Sequence, residues 1–153
     1  PGAMQHLCRS IHERWGGVDL WMHTAIHASA LTPAPMIADK DWDKSWQINV
    51  ESTRRLITYV TPLLQARKGA RAVFFEDARG GEKFFGAYGA TKAAQMALVR
   101  SWQAETVKTG PDVRIETPPA MATAVRARFF PGEDRDKLTP AKDAAAALLA
   151  RLG

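Results

Sequence analysis

The chain has 153 residues, of which 46% are hydrophobic, and a formal net charge of +5 at neutral pH. This length and composition predict one globular domain with its own core, and no apolar run approaches the ~18 residues of a membrane span. The basic residues are scattered without interleaved aromatic residues, which argues against nucleic-acid binding. Cys8 is the only cysteine, so an intrachain disulfide is excluded and a reducing cytoplasm is the expected location.

The chain opens on a helical pattern. Leu7, Ile11 and Trp15 recur every fourth residue and predict a helix over residues 3–15. Pro1 just before this stretch suits a first helical turn. Because no initiator methionine stands at the start, we interpret the sequence as the middle of a longer protein.

Strands and helices then alternate. The predicted elements are a strand over residues 18–25, a helix over 42–67, a strand over 72–75, a helix over 87–108, a strand over 113–116 and a final helix from about 139. Asp39 or Asp41 is expected to cap the 42–67 helix, and Thr139-Pro140 to supply the cap and first residue of the last one. This alternation predicts βαβ units and a parallel sheet whose active site lies at the carboxyl ends of the strands.

The most informative stretch is Tyr88-Gly89-Ala90-Thr91-Lys92. Residues i and i+4 of a helix share a face, so the Tyr88 hydroxyl and the Lys92 ammonium are directed at one point. A tyrosine titrates near ~10, and a close cation favours its ionised form. The spacing therefore predicts a lowered pKa for Tyr88 and a proton donor or acceptor suited to hydride transfer to a carbonyl.

The order and spacing of these pieces resemble the short-chain dehydrogenase/reductase family. The matching stretches are Tyr88 to Lys92 for the Y-x-x-x-K motif, Ile48-Asn49-Val50 for the helical asparagine, His23-Thr24-Ala25-Ile26 for N-N-A-G, and Val113 to Thr123 for the third strand and its loop. The resemblance implies an incomplete Rossmann-like α/β fold. It would be a doubly wound parallel sheet of about three strands with helices on both faces, forming one partial domain over residues 1–153.

The resemblance also implies roles for individual residues. Tyr88 is the general acid/base, Lys92 lowers its pKa and holds the nicotinamide ribose, and Asn49 carries a water in the proton relay. The residues implied in binding NAD or NADP are Tyr88, Lys92, Ala25, Pro118 and Thr123. The implied substrate is a small-molecule carbonyl or alcohol, and the implied assembly is a homo-oligomer.

Three departures from the family pattern bear on activity. No serine lies between Ser52 and Ser101, and the place of the family's catalytic serine is taken by acids. Asp77 (or its neighbour Glu76) can replace that serine only as a protonated donor with a raised pKa. The chain also contains no G-x-G-x-x-G turn for a pyrophosphate, and Ile26 and Pro119 stand where the family has glycines.

Other patterns carry less chemistry. The alternating acids Asp39, Asp41 and Asp43 lack the later ligands of a calcium loop, and His23 and His27 have no partner at zinc spacing, so no metal is predicted. Helical tryptophans, among them Trp42, Trp46 and Trp102, are expected in the core or a subunit interface.

Two hypotheses follow. The chain derives from an NAD(P)-dependent oxidoreductase acting through Tyr88, Lys92 and Asn49, or it is a catalytically degenerate relative that serves oligomerisation or partner binding. In either case the isolated chain is expected to bind NAD(P)H poorly and to self-associate.

Overall fold

A computed structural model describes residues 2–153; Pro1, expected in the first helical turn, lies outside them. The described chain forms two compact units, one ending at Glu116 and the other beginning at Thr117. Within residues 2–153, every helix is too short or too polar to cross a membrane.

The first unit is built from helices around one sheet. Its elements in chain order are helix α1 (Gly2–Trp15), strand β1 (Leu20–Met22), a 3₁₀ turn (Ala34–Met36), helix α2 (Asp39–Trp46), a π-helical turn (Gln47–Glu51), helix α3 (Ser52–Gln65), strand β2 (Arg71–Phe75), helix α4 (Gly86–Thr106) and strand β3 (Asp112–Glu116). The strands are all parallel and lie in the order β1–β2–β3. The predicted α/β fold, with about three parallel strands, is confirmed.

The central strand β2 organises the sheet and its core. Arg71 pairs with Leu20 of β1 on one side and with Asp112 of β3 on the other, so all three strands end at the same edge. Ala72 and Phe74 are fully buried. They belong to a core cluster with α1, α3 and α4, whose remaining buried members are Cys8, Val60, Leu63, Leu64, Ala70, Met96, Val99, Trp102 and Val113.

The tryptophans divide between core and surface. Trp102 is buried and its ring meets that of Phe74 edge-on, with centroids 6.2 Å apart. Trp42 and Trp46 instead lie on the outer face of α2, 39% and 45% exposed, and stack on each other at 6.3 Å. Trp102 therefore lies in the core, and for the exposed Trp42 and Trp46 a subunit interface stays a prediction.

Strand β1 is shorter than the predicted 18–25. The His23 N–H still donates to the Val73 carbonyl at 2.9 Å, but the chain then leaves the sheet. The backbone N–H and C=O of His27 are bonded by the side-chain amide of Asn49. A side chain, and not a neighbouring strand, therefore satisfies these backbone groups, which ends the strand early.

The predicted helix over 42–67 is interrupted. A π-helical turn at Gln47–Glu51 separates α2 from α3, and buried Asn49 lies within it. Such turns disturb the regular helical ladder and often occur at functional sites. The expected cap is also wrong, because Ala38 occupies the N-cap position without a side-chain bond and Asp39 and Asp41 lie in the first turn.

The second unit is mostly helical. It contains α5 (Ala124–Phe129), a 3₁₀ turn (Arg135–Lys137) and α6 (Ala141–Leu152). Thr139 does not cap α6: its N–H donates to the Ala120 carbonyl at 3.0 Å, and Pro140 holds the N-cap position. Pairing of Thr139 with the segment near Met121 holds it in an extended bridge, so its hydroxyl bonds no helical N–H.

Candidate active site

The predicted catalytic residues lie together at the carboxyl edge of the sheet. Tyr88 and Lys92 occupy one face of the first turns of α4, Asn49 lies in the π-helical turn, and Asp77 follows β2. Three of them are buried, with Tyr88 4%, Lys92 7% and Asn49 0% exposed. Tyr88 bonds directly to Asp77, and Asn49 is joined to Lys92 through Gln95 and to the Tyr88 carbonyl through Thr91.

Both polar atoms of the Asn49 side chain form hydrogen bonds. Its Oδ1 accepts from the His27 N–H at 2.7 Å, and its Nδ2 donates to the His27 carbonyl at 2.9 Å and to Thr91 Oγ1 at 3.0 Å. Thr91 precedes Lys92 on α4, so this amide fixes the π-helical turn against both the loop after β1 and the catalytic helix. A buried amide with all donors and acceptors used is a rigid anchor.

Tyr88 points to a carboxylate. Its hydroxyl donates to Asp77 Oδ2 at 2.9 Å. The other oxygen of Asp77 accepts from Arg79 Nε at 3.1 Å, and Arg79 also reaches both oxygens of Glu82 at 3.0 Å. Both carboxylate oxygens of Asp77 therefore accept hydrogen bonds, one from Tyr88 and one from Arg79.

The surroundings raise the pKa of Tyr88 above its ordinary value of 10. Burial is the largest cause, followed by the charge of Asp77 and its hydrogen bond, while Arg79 acts weakly in the opposite direction. The predicted lowering of this pKa by a close cation is therefore wrong. Burial and Asp77 together outweigh the cation Arg79 at Tyr88, and the Lys92 ammonium donates to Gln95.

Lys92 is a buried cation with a neutral partner. Its Nζ donates to Gln95 Oε1 at 2.8 Å. Burial lowers the pKa of Lys92 from 10.5 to about 8, against the charges of Asp77 and Glu76, which raise it. A buried ammonium carries three donors, and Gln95 is the acceptor that the described residues give it.

Both acids of the serine-replacing stretch act as hydrogen-bond acceptors. Asp77 accepts from Tyr88 and from Arg79, and Glu76 forms an ion pair with Arg100 of α4. The geometry thus gives no support to the predicted role of Asp77 or Glu76 as a protonated donor.

The predicted cofactor residues outside this cluster are spread along the chain. Ala25 is exposed in the extended segment after β1. Pro118 and Thr123 belong to the second unit, where the Thr123 hydroxyl accepts from the Arg126 N–H at 3.2 Å and caps α5. Among residues 2–153, no three His, Cys, Asp or Glu side chains gather as a metal site requires.

Sequence reasoning missed three polar residues of the cluster. Gln95, Thr53 and Arg79 all bond to predicted site residues or to their partners. The contact of Gln95 with Lys92 could have been predicted from the sequence, because Gln95 lies three residues after Lys92 on the same helical face. Thr53 likewise lies one turn after Asn49, whereas Arg79 comes from a loop whose path has no sequence signature.

A parallel sheet with a buried Tyr–Lys pair at its carboxyl edge defines a Rossmann-like oxidoreductase class. A sequence model described as "short chain dehydrogenase" matches residues 1–134. The chain belongs to the short-chain dehydrogenase family.

Individual proteins agree with this assignment. An uncharacterized oxidoreductase of Staphylococcus aureus strain MW2 is 26% identical over 151 residues, covering 96% of this chain and 64% of that protein. The oxidoreductase yciK of Escherichia coli has a similar structure, with a TM-score of 0.89 and 27% identity over 99% of this chain and 63% of its own.

A putative short chain dehydrogenase of Escherichia coli CFT073, solved with NADPH, has a TM-score of 0.90 and 27% identity over 99% of this chain and 64% of its own. This chain thus spans somewhat less than two thirds of the length of the relatives it matches.

Proposed function

We propose that the chain carries the catalytic part of an oxidoreductase that interconverts a small-molecule carbonyl and its alcohol, with Tyr88 as the acid/base. The observation that supports this most is the position of the Tyr88 hydroxyl. It is buried at the carboxyl edge of a parallel sheet, on the helical face of Lys92, and it already donates a hydrogen bond to an oxygen 2.9 Å away. A donor placed in this way is what protonation of a carbonyl oxygen requires.

The residues present fit the nicotinamide end of NAD or NADP. Lys92 has three donors and one acceptor among the described residues, so two N–H groups suit the hydroxyls of a ribose. Tyr88 and Ala25 are proposed to complete this contact, and Pro118 and Thr123 stay proposed cofactor residues by resemblance. When bound, the nicotinamide would supply the hydride that reduces the carbonyl carbon.

The chain's own residues would handle the proton. Tyr88 gives its hydroxyl proton to the carbonyl oxygen and is left as a phenolate. The Lys92 ammonium, buried on the same helical face, would stabilise the negative charge of the phenolate, whereas the charge of Asp77 destabilises it. Asn49 holds the catalytic helix through Thr91. The hydrogen bond between Tyr88 and Asp77 must break before Tyr88 can donate to the substrate oxygen. Turnover at this site is therefore slower than at a site with a hydroxyl donor in the place of Asp77.

The relatives favour a nicotinamide dinucleotide. Besides the NADPH-bound structure, a short chain dehydrogenase of Shigella flexneri 2a was solved with NADP, and it is 28% identical over 98% of this chain. We therefore propose NADP or NAD as the cofactor of the protein, a cytoplasmic location and a homo-oligomeric assembly. Because the G-x-G-x-x-G turn is absent from the 153 residues, they are proposed to bind the cofactor weakly by themselves.

One observation favours the second hypothesis, a degenerate relative that serves as an oligomerisation or partner-binding module. The Tyr88 hydroxyl is engaged by a carboxylate that raises its pKa. A site kept for catalysis gains nothing from that bond, whereas a structural role tolerates it. Measurements of turnover separate the two hypotheses.

The test is Tyr88→Phe in the longest natural form of the protein, assayed for NADPH-dependent reduction of a panel of aldehydes and ketones. We expect the loss of nearly all turnover, because general acid catalysis contributes roughly 10²- to 10⁴-fold. Tyr59→Phe is the matched control, since Tyr59 is the only other tyrosine and lies on α3 against the core. Full activity of Tyr88→Phe, or no activity in the unaltered protein, would overturn the proposal.

A further inference from the structure

Gln95 is a buried side chain whose three hydrogen bonds join different parts of the candidate site. It is 1% exposed. Its Oε1 accepts from Lys92 Nζ at 2.8 Å, and its Nε2 donates to the Asn49 carbonyl and to Thr53 Oγ1, both at 2.9 Å. One amide thus links the catalytic helix α4 to the π-helical turn and to α3.

These contacts determine the orientation of the amide. An amide rotated by half a turn would place its NH₂ group against an ammonium and its oxygen against the Asn49 carbonyl. Both contacts would be repulsive, and three hydrogen bonds would be lost in a site where buried polar groups need partners. Gln95 is therefore held with its oxygen directed at Lys92.

We propose that Gln95 is a positioning residue that holds the Lys92 ammonium in place for proton transfer at Tyr88; this rests on the proposed function. A lysine side chain has four rotatable bonds and loses rotamer freedom when it is ordered. Gln95 supplies a rigid acceptor, and Asn49 and Thr53 keep that acceptor from moving. An amide does not relay protons at neutral pH, so its part is to orient Lys92 and to stabilise its charge.

Other charged and titratable groups also act on Lys92. Asp77 and Glu76, after β2, raise the pKa of Lys92. His23, which follows β1, bonds to Thr53 Oγ1 at 3.1 Å. Burial is the main cause that lowers the pKa of His23 to about 4, and the charge of Lys92 is the second cause. His23 is therefore neutral through the range in which Lys92 titrates. The acids are unchanged in the variants below, so a difference in the titration of Lys92 reports the contact with Gln95.

The experiment is an NMR titration of lysine Cε resonances in the full protein, with Lys92→Arg used for assignment. Gln95→Met removes the acceptor and is expected to lower the pKa of Lys92 relative to the unaltered protein. Gln95→Glu places a carboxylate beside the ammonium and should raise it by roughly 1 to 3. Gln103→Met is the matched control, since Gln103 lies on the same helix and donates to the Val113 carbonyl at 2.7 Å; it should leave Lys92 unchanged.

Steady-state kinetics provide the second readout. Gln95→Met should lower kcat by roughly 10²-fold with little change in the KM of the carbonyl substrate, as expected for a misplaced catalytic group. If Gln95→Met fails to fold, Gln95→Glu, which keeps the size of the side chain, carries the test. An unchanged titration of Lys92 in a folded Gln95 variant would overturn the inference, even if Tyr88→Phe abolishes activity. Survival of activity in Tyr88→Phe would instead refute the proposed function and leave the titration result standing.

Discussion

At the scale of single residues, the proposed replacement of a serine by Asp77 would change what Tyr88 can do. A serine hydroxyl in that place would donate to the substrate oxygen and leave Tyr88 free to do the same. The Asp77 carboxylate instead accepts a hydrogen bond from the Tyr88 hydroxyl at 2.9 Å, and after burial it is the next cause that raises the pKa of the phenol. Since a missing donor alone costs on the order of 10²–10³ in rate, we expect the acid at this position to lower the rate more than the loss of the serine hydroxyl alone.

Asp77→Ser should therefore increase reductase turnover by up to roughly 10²-fold, because it restores a donor and removes the charge that disfavours the tyrosinate. The pH profile of kcat/KM for alcohol oxidation should also move to lower pH, as the pKa of Tyr88 falls. Glu76→Ser serves as the control, because Glu76 is the neighbouring acid and pairs with Arg100 of α4. A large loss of activity in Asp77→Ser would mean that the carboxylate is itself required.

This residue-scale chemistry was only partly predictable. Tyr88 and Lys92 could be placed on one face of α4 because helical spacing is a local property. The direction of the pKa shift at Tyr88 could not, because it depends on burial and on Asp77, which reaches the phenol through a loop between β2 and α4. Spacing along a sequence predicts which groups share a face, and tertiary packing decides which charge acts on them.

At the scale of elements, the loop after β2 is seated on α4 by a glycine. A Cβ on Gly89 would lie 2.7 Å from the Arg79 carbonyl oxygen and 3.2 Å from Gly80 Cα. Real Cβ atoms essentially never come within 2.7 Å of a backbone oxygen, and a contact of 3.2 Å is tight, so glycine lets this backbone approach the helix. Tyr88 directly precedes Gly89 on α4. The close approach of the loop at Gly89 therefore also brings Asp77 and Arg79 next to Tyr88.

Gly89→Ala is expected to destabilise the protein by about 1 to 3 kcal/mol through overpacking, although alanine is the better helix former by roughly 1 kcal/mol. The measurement is urea unfolding, followed by tryptophan fluorescence. The control is Gly80→Ala, on the opposite side of the same contact, where a Cβ would meet only Gly89 O at 3.9 Å. An increase in stability for Gly89→Ala would show that helix propensity outweighs the contact.

Element boundaries show where sequence reasoning reached its limit. Strand β2 and helix α4 were placed almost correctly, because an apolar run and a long helical pattern are strong local signals. The break between α2 and α3 had no such signal. It depends on Asn49, whose carbonyl accepts from Gln95 and whose amide binds the backbone of His27. Those partners are 46 and 22 residues away along the chain.

At the scale of the whole molecule, the polar cluster affects stability as a function of pH. His23 and Lys92 are 6% and 7% exposed, and burial lowers the pKa of both. Each group is easier to protonate in the unfolded chain than in the fold. Protonation therefore costs stability at both positions, in two separate pH ranges.

The free energy of unfolding should fall as pH decreases from 6.5 to about 4, because the unfolded state then binds a proton at His23 that the fold rejects. A difference of that size corresponds to roughly 3 kcal/mol. The free energy of unfolding should also rise as pH increases from about 8 to 10.5, because folded Lys92 is neutral in this range and unfolded Lys92 is still charged. The measurement is urea unfolding across this pH range.

His23→Gln should remove the pH dependence of stability on the acid side, and Lys92→Met should remove it on the alkaline side. His12→Gln, at an exposed position on α1, should change neither. Identical acid limbs in His23→Gln and the unaltered protein would show that His23 is not the group that titrates.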